Sequence, residues 1–349
     1  MSTTLPDDRV FVDFDQYAFT ERINQLRPRA LQRFDRFTKR PVRFNFIFFM
    51  IGVGQLATLL ALLPSLFHSS VFAVGLAVLF LTLFSYFVLR LYFQAQQEEK
   101  LLELSDSYLD DAKEAIQYQE GVPEHHLALA KAAARISNSL KYREYQYFKA
   151  PSFFNYLNPL LRKLSCWWHW QNIFHFRELL LQAAIEEHIK LIKLEPTNLE
   201  VHAALANAYI MMSNLYADPR KQGDFNAEYW LAPERISKTM DMKFRETASR
   251  AIEEFKILND YAPDDPWVHY QLAYSYHDLQ MPEEEIKQYE IILKLRPNDL
   301  ETRIKLGTLY FQNGLTAKGL QLYDQLKHAH PQEAESLIKF YGSYQAELS

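Results

Sequence analysis

Cysteine and histidine are the side chains from which chemistry could be built here, and the chain holds one cysteine and 11 histidines in 349 residues. Cys166 stands three residues before His169, close enough on a helix for a thiol and an imidazole to act as nucleophile and general base. No orienting partner and no glycine turn able to form an oxyanion hole accompanies the pair. His125 with His126, His169 with His175, and His328 with His330 lack zinc spacing, and the run Glu186, Glu187, His188 lacks the second histidine of a metalloprotease helix. The 9 glycines are too scattered to cradle a phosphate. The sequence therefore predicts no enzyme activity, no cofactor and no metal.

The elements that would position any site are of two kinds. Between Arg43 and Gln94 the sole charged residue is Arg90, and two apolar blocks, Phe44–Leu66 and Val71–Phe93, are parted by FHSS just after Pro64. A bilayer core of about 30 Å needs roughly 20 apolar residues at helical rise. Each block meets that length even with Asn45 and Gln55 counted against the first, so residues 44–94 read as a transmembrane helical hairpin. A buried core helix rarely runs so far without a charge, and a signal peptide would not begin so deep in the chain. Arg27, Arg29, Arg33, Arg36, Lys39, Arg40 and Arg43 crowd the N-terminal flank, whereas the loop from Pro64 to Ser70 has no Lys or Arg. Both chain ends are expected on the cytosolic side of an integral membrane protein with two spans. A lone cysteine suits a reducing compartment.

Charge divides the chain. Residues 1–43 hold nine Lys/Arg against six Asp/Glu, net +3, while residues 95–349 hold 28 against 37, net −9. The basic N-terminal segment, 1–43, interleaves aromatics with arginines, which suits an interfacial helix whose Arg36, Lys39, Arg40 and Arg43 meet anionic headgroups, or a set of arginines that only fixes topology. The acidic remainder makes nucleic acid an unsuitable ligand, because phosphate neutralisation supplies most of that affinity. After the hairpin, residues 95–122 read as a helical linker that Gly121 stops.

From there helical periodicity rules, with a repeat. At an offset of 34, Leu272 matches Leu306, Tyr276 matches Tyr310, Tyr289 matches Tyr323, and Pro263, Pro297 and Pro331 form an even series. Leu306, Gly307 and Tyr310 sit on one face of a first helix, Asn313-Gly314 turns the chain, and Tyr323 and Leu326 pack a second helix back before Pro331 ends it. The small residue at 307, and Ala273 before it, is expected to let the two helices of a pair approach closely.

This pattern resembles the tetratricopeptide repeat family, whose unit carries Leu, Gly and Tyr on its first helix and Ala, an aromatic and Pro on its second. Residues 300–333 match best; residues 266–299 match with Glu285 where the family has alanine, and the early tryptophan is missing from both. Two less regular units pair HLALAKAAARISN with AAIEEHIKLIKLEP and HAALANAYIMMSN with AIEEFKILNDYAP, so the resemblance covers 123–331 as about four repeats. The implied fold is all-α: the membrane hairpin, then an α-solenoid, then a capping helix at 332–349. The first two units carry insertions, 139–175 and 217–243. The first groups Trp167, Trp168 and Trp170, as a membrane-interface foot would or as an aromatic cap on its own repeats would. The second mixes Pro, Gly and charge like a surface loop.

The resemblance implies a groove lined by first helices, holding a protein or peptide. In this frame it presents Lys131 and Arg135, then Asn207, then Tyr270, Gln271, Tyr274 and His277, then Lys305, Thr308 and Gln312. Chaperone-binding members of the family use a basic carboxylate clamp; Lys131 and Asn207 occupy its positions, but the aromatic third unit departs from it and suits an apolar or proline-containing peptide. A membrane-anchored adaptor or scaffold is the function implied. The closely spaced hairpin is also similar to that of chlamydial inclusion-membrane proteins, which would make the chain a secreted bacterial protein presenting its repeats to host cytosol. Oligomerisation through the hairpin or the ends of the stack stays open.

Overall fold

The computed structural model describes residues 16–66, 70–221, 225–226 and 228–348, and among these the regular elements are all helical. They form two compact units, residues 1–194 with 218–237, and residues 195–217 with 238–349.

The first unit contains α1 (Gln16–Leu66), α2 (Ser70–Ala95), α3 (Gln97–Ile116), α4 (Pro123–Ser139) and α5 (Asn158–Leu194). No element ends at residue 43. Helix α1 runs unbroken from the basic segment into the apolar block, and it is not simply an interfacial helix: Phe19, Ile23 and Phe34 are buried with Leu101, Tyr108, Ile136, Phe176 and Leu180 in one core. The spacing of Phe19 and Ile23 places both on one helical face, and that face covers α4. Phe34 stacks on Phe176 with centroids 4.6 Å apart. Arg33 pairs with Asp111 at 3.1 Å, and Asp35 accepts from Arg143 and, at 2.8 Å, from the Tyr147 hydroxyl. Helix α3 stops before Gly121. Gln117 adopts a left-handed conformation (φ 53°), and the Tyr118 amide reaches back to the Lys113 carbonyl at 3.0 Å, closing the end without glycine.

Two helices are long and apolar enough to cross a membrane, and their most apolar stretches bury nothing inside the protein. The polar residues that weigh against such a role meet each other instead. Tyr86 donates to the Asn45 carboxamide oxygen at 3.2 Å, and Gln55 donates to Thr82 at 3.0 Å. Gly75 permits close approach, since a Cβ there would stand 2.6 Å from Leu59 Cδ2.

The second unit contains α6 (Leu199–Tyr216), α7 (Lys238–Tyr261), α8 (Pro266–Asp278), α9 (Pro282–Leu295), α10 (Leu300–Gln312), α11 (Thr316–Ala329) and α12 (Pro331–Leu348). Both ends of α8 and of α9 recur 34 residues later as the ends of α10 and α11. The repeat is also held by its connections. Asn198, Asp265 and Asp299 cap α6, α8 and α10, each two residues after a proline. Four residues further on, His202 and His269 bond the Pro196 and Pro263 carbonyls at 3.0 and 2.8 Å, and Arg303 donates to that of Pro297. The other nitrogen of each histidine reaches the second helix of its pair, His202 to Glu254 at 2.7 Å and His269 to Gln288 at 2.8 Å.

Two sequence expectations change in detail. Gly307 does not bring α10 and α11 together; a Cβ there would meet Leu337 of α12 at 2.8 Å. The close approach within that pair is at Gly319, whose added Cβ would lie 2.5 Å from Phe311 Cε1. Pro331 follows the end of α11 at Ala329 and also opens α12, because a first-turn amide needs no helical acceptor.

Candidate partner-binding surfaces

In the second unit, α8 and α10 bring three of the expected groove residues together. Tyr274 is exposed and stacks on Tyr270, centroids 6.2 Å apart, and the Lys305 ammonium lies 4.6 Å from the Tyr274 ring centroid and 5.2 Å from that of Tyr289. Tyr270 is half-buried and structural: its hydroxyl bonds Asp299 and, at 2.6 Å, Thr302, which ties α8 to the cap of α10. Burial raises the Tyr270 hydroxyl pKa and the Asp299 bond adds to it, so it stays a donor. Helix α9 contributes what the sequence pattern did not indicate. Glu285 is buried, with one carboxylate oxygen 3.1 Å from His277 Nδ1 and the other without a partner among the described residues. One turn on, the buried Tyr289 hydroxyl also lacks one, and burial raises its pKa with Glu285 reinforcing. The surface thus joins an exposed aromatic face and a cation to buried hydrogen-bonding groups.

The remaining groove residues contribute less. Thr308 spends its hydroxyl on the Ile304 carbonyl at 3.0 Å; Gln312 and Asn207 are exposed and Gln271 is half-buried. Lys131 and Arg135 belong to the first unit. Both are exposed, yet they line a cavity of about 200 Å³ with Phe19 and Ile23, so α1 occupies the face of α4 that they mark.

The insertions pack on each other inside the first unit. Helix α5 begins at Asn158, so the latter part of the first insertion extends the second helix of the α4/α5 pair. Residues 218–237 of the second insertion are more than a surface loop. Tyr145 stacks on Tyr229 at 4.2 Å and donates to the Trp230 carbonyl at 3.0 Å, Arg235 lies 4.8 Å over Phe174, and Ala232 is buried. Cys166 and His169 do not form a nucleophile pair. Burial and the nearby Glu144 push the thiol up to about 12, so it is protonated at neutral pH, and neither nitrogen of His169 has a partner among the described residues. The expected interface residues separate. Arg36, Lys39, Arg40, Arg43 and Trp167 are exposed, whereas Trp168 and Trp170 are half-buried, Trp170 against Phe174.

The chain is thus a protein of paired helices with repeat spacing. No protein-family model matches it. No curated protein matches it. Among solved structures it is similar to the assembly chaperone of RpL4 (Acl4), at 14% identity and TM-score 0.27, over 71% of this chain and 77% of that one. It is also similar to the TPR domain of P58(IPK), at 13% and 0.24 over 87% and 99%, and to Naa15/Naa10 bound to HypK-THB, at 10% and 0.20 over 86% and 68%.

Proposed function

We propose that this chain is a membrane-anchored adaptor of the tetratricopeptide type, which holds a peptide-binding face at the cytosolic side of a membrane. The observation that carries the reading is the surface at Tyr274. Exposed Tyr274 stacks on Tyr270 and holds the Lys305 ammonium 4.6 Å from its ring centroid, so an apolar face and a cation stand side by side. A segment that covers the Tyr274 ring while offering a carbonyl or carboxylate oxygen to Lys305 would gain apolar burial and a charge-assisted hydrogen bond. An apolar or proline-containing peptide with a free backbone carbonyl fits this chemistry.

Anchoring is supported by the exposed apolar surface of α1 and α2, including Phe46, Leu60, Phe80 and Leu91, which water would not tolerate as one contiguous band. The arginine-rich flank and the Lys/Arg-free loop support cytosolic ends. The test uses the full chain in native membranes, with a photo-crosslinking residue at 274 or, as control, at Gln321 on α11. A discrete adduct at 274 that peptide competition removes is expected, with the chain staying in the membrane pellet at alkaline pH. Equal labelling from both positions would refute the binding face, and release at alkaline pH would refute the anchor.

A further inference from the structure

The first unit carries an apolar surface that the hairpin does not explain. Between Phe153 and Trp167, Phe153 is 75% exposed, Tyr156 73%, Leu160 63% and Trp167 58%, and Phe154 and Leu164 are exposed as well. Leu160, Leu164 and Trp167 follow the helical period at the start of α5, so they form one stripe, and Phe153, Phe154 and Tyr156 continue it in the preceding 3-10 turns. Elsewhere among the described residues outside α1 and α2, exposed large apolar side chains are scattered, which is ordinary. This cluster is not.

Its charge is as uneven. No Asp or Glu occurs between Glu144 and Glu178, in a chain whose net charge is −5. Of the cations there, Arg177 is half-buried and Lys149, Arg162 and Lys163 are exposed, the last two flanking the stripe at 5.9 Å from the rings of Tyr229 and Trp230. Aromatic rings with flanking Lys and Arg and no acid suit an anionic lipid headgroup layer.

Position decides between lipid and another partner. Phe34 of α1 meets Phe176 of α5; five residues on, Lys39 lies 5.8 Å over Tyr147, whose ring is 4.2 Å from that of His169. As α1 advances toward its apolar block, the facing residues of α5 therefore descend in number. Gln97, which opens α3 just after the second apolar helix, bonds Asn172. Helix α5 thus passes the ends of both apolar helices near residues 169–172, and its earlier residues continue in the sense in which those helices enter their apolar stretches. From Asn172 to Leu160 the rise is about 18 Å. Arg43, nine residues past Phe34, is level with residue 167 of α5, so the stripe begins at the depth where Arg43 gives way to Phe44 and Leu160 lies about 10 Å further in.

We infer that residues 153–167 form a third membrane contact, an amphipathic foot that reaches through the headgroup layer beside the hairpin. The inference rests on the anchor reading above and adds to it a fixed orientation of the first unit, because two spans alone leave rotation about the hairpin axis free. Peripheral helices of this kind bury their apolar face about 5–10 Å into the headgroup and acyl boundary.

The test places single spin labels on the full chain in vesicles of phosphatidylcholine and phosphatidylglycerol. Leu160→Cys reports the foot, Leu81→Cys the apolar face of α2, and Gln321→Cys a site on α11; the parent, whose Cys166 is buried, serves as the blank. At 160 we expect collisions with a water-soluble nickel chelate several-fold rarer than at 321, and oxygen collisions between those at 321 and 81. If 160 is as open to nickel as 321 while 81 is in lipid, the foot is refuted and the anchor stands. If 81 is itself open to nickel, the anchor fails and the foot with it. If 160 is immobile and shielded from both reagents, protein covers the stripe and the lipid assignment is wrong.

Discussion

Acidification should loosen the first unit through two buried histidines. His169 is fully buried between the rings of Tyr147 and Phe148, at 4.2 and 5.4 Å, and neither ring nitrogen has a partner among the described residues. Burial and the nearby Lys39 ammonium, partly offset by Asp35, hold its pKa down to about 4. Burial does the same to His188, also to about 4, with Lys131 adding to the shift and Glu187 opposing it. In the unfolded chain both return to roughly 6.5. Between these values the unfolded state binds more protons than the folded one, so stability is lost as pH falls from about 6.5 toward about 4. At about pH 5.5 each histidine costs about 1.4 kcal/mol, so the two together cost about 3 kcal/mol. Hydrogen exchange of α4 and α5 peptides, corrected for intrinsic rates and compared between about pH 7.5 and 5.5, should lose about 100-fold of its protection. Glu144 works in the opposite sense, since burial raises its carboxyl pKa. The quantity to read is therefore the difference between the parent and His169→Leu/His188→Leu, in which Glu144 cancels. A difference of zero would show that these rings are not what acid attacks.

The second unit should respond with the opposite sign at His202. Burial works against its charge, but the Glu254 carboxylate and the Pro196 carbonyl raise its pKa, because only the imidazolium can donate to both. Its contribution is complete below roughly pH 6.5 and is lost as pH rises through the higher folded value, so α6 and α7 peptides should exchange faster at about pH 8 than at 6 and His202→Gln should flatten that change. Gly319→Ala should destabilise by about 1–2 kcal/mol in thermal or denaturant unfolding: crowding Phe311 costs about 1–3 kcal/mol, against roughly 1 kcal/mol of helix propensity gained. The loss should shrink in a Phe311→Leu background, and an unchanged loss would place the strain elsewhere.

Much of the fold was legible because it repeats. The 34-residue offset marked α8 through α11, since a helix pair that buries one face against its neighbour needs the same apolar positions each time. A second repeated signal passed unread. Proline, a capping Asn or Asp two residues on, and His or Arg four beyond that recur from Pro196, Pro263 and Pro297, and these residues bind each unit's start to the carbonyl before it. Histidines considered only as metal ligands or bases thus serve as connectors. Of the candidate groove, the aromatic residues of α8 could be named from sequence, but not that Tyr270 would be tied to Asp299, nor that Glu285 and Tyr289 of α9 would lie beneath them.

The sequence by itself determined the all-helical class, the two apolar stretches of membrane-crossing length and the register of the later repeats, all of which follow from local composition and period. Only the tertiary structure decided that α1 would pack on α4 beside Lys131 and Arg135, that the two insertions would pack together, and that one stripe of α5 would remain bare. Those outcomes depend on which apolar faces meet across more than 100 residues of chain, as those of Phe34 and Phe176 do, and no local period encodes that choice.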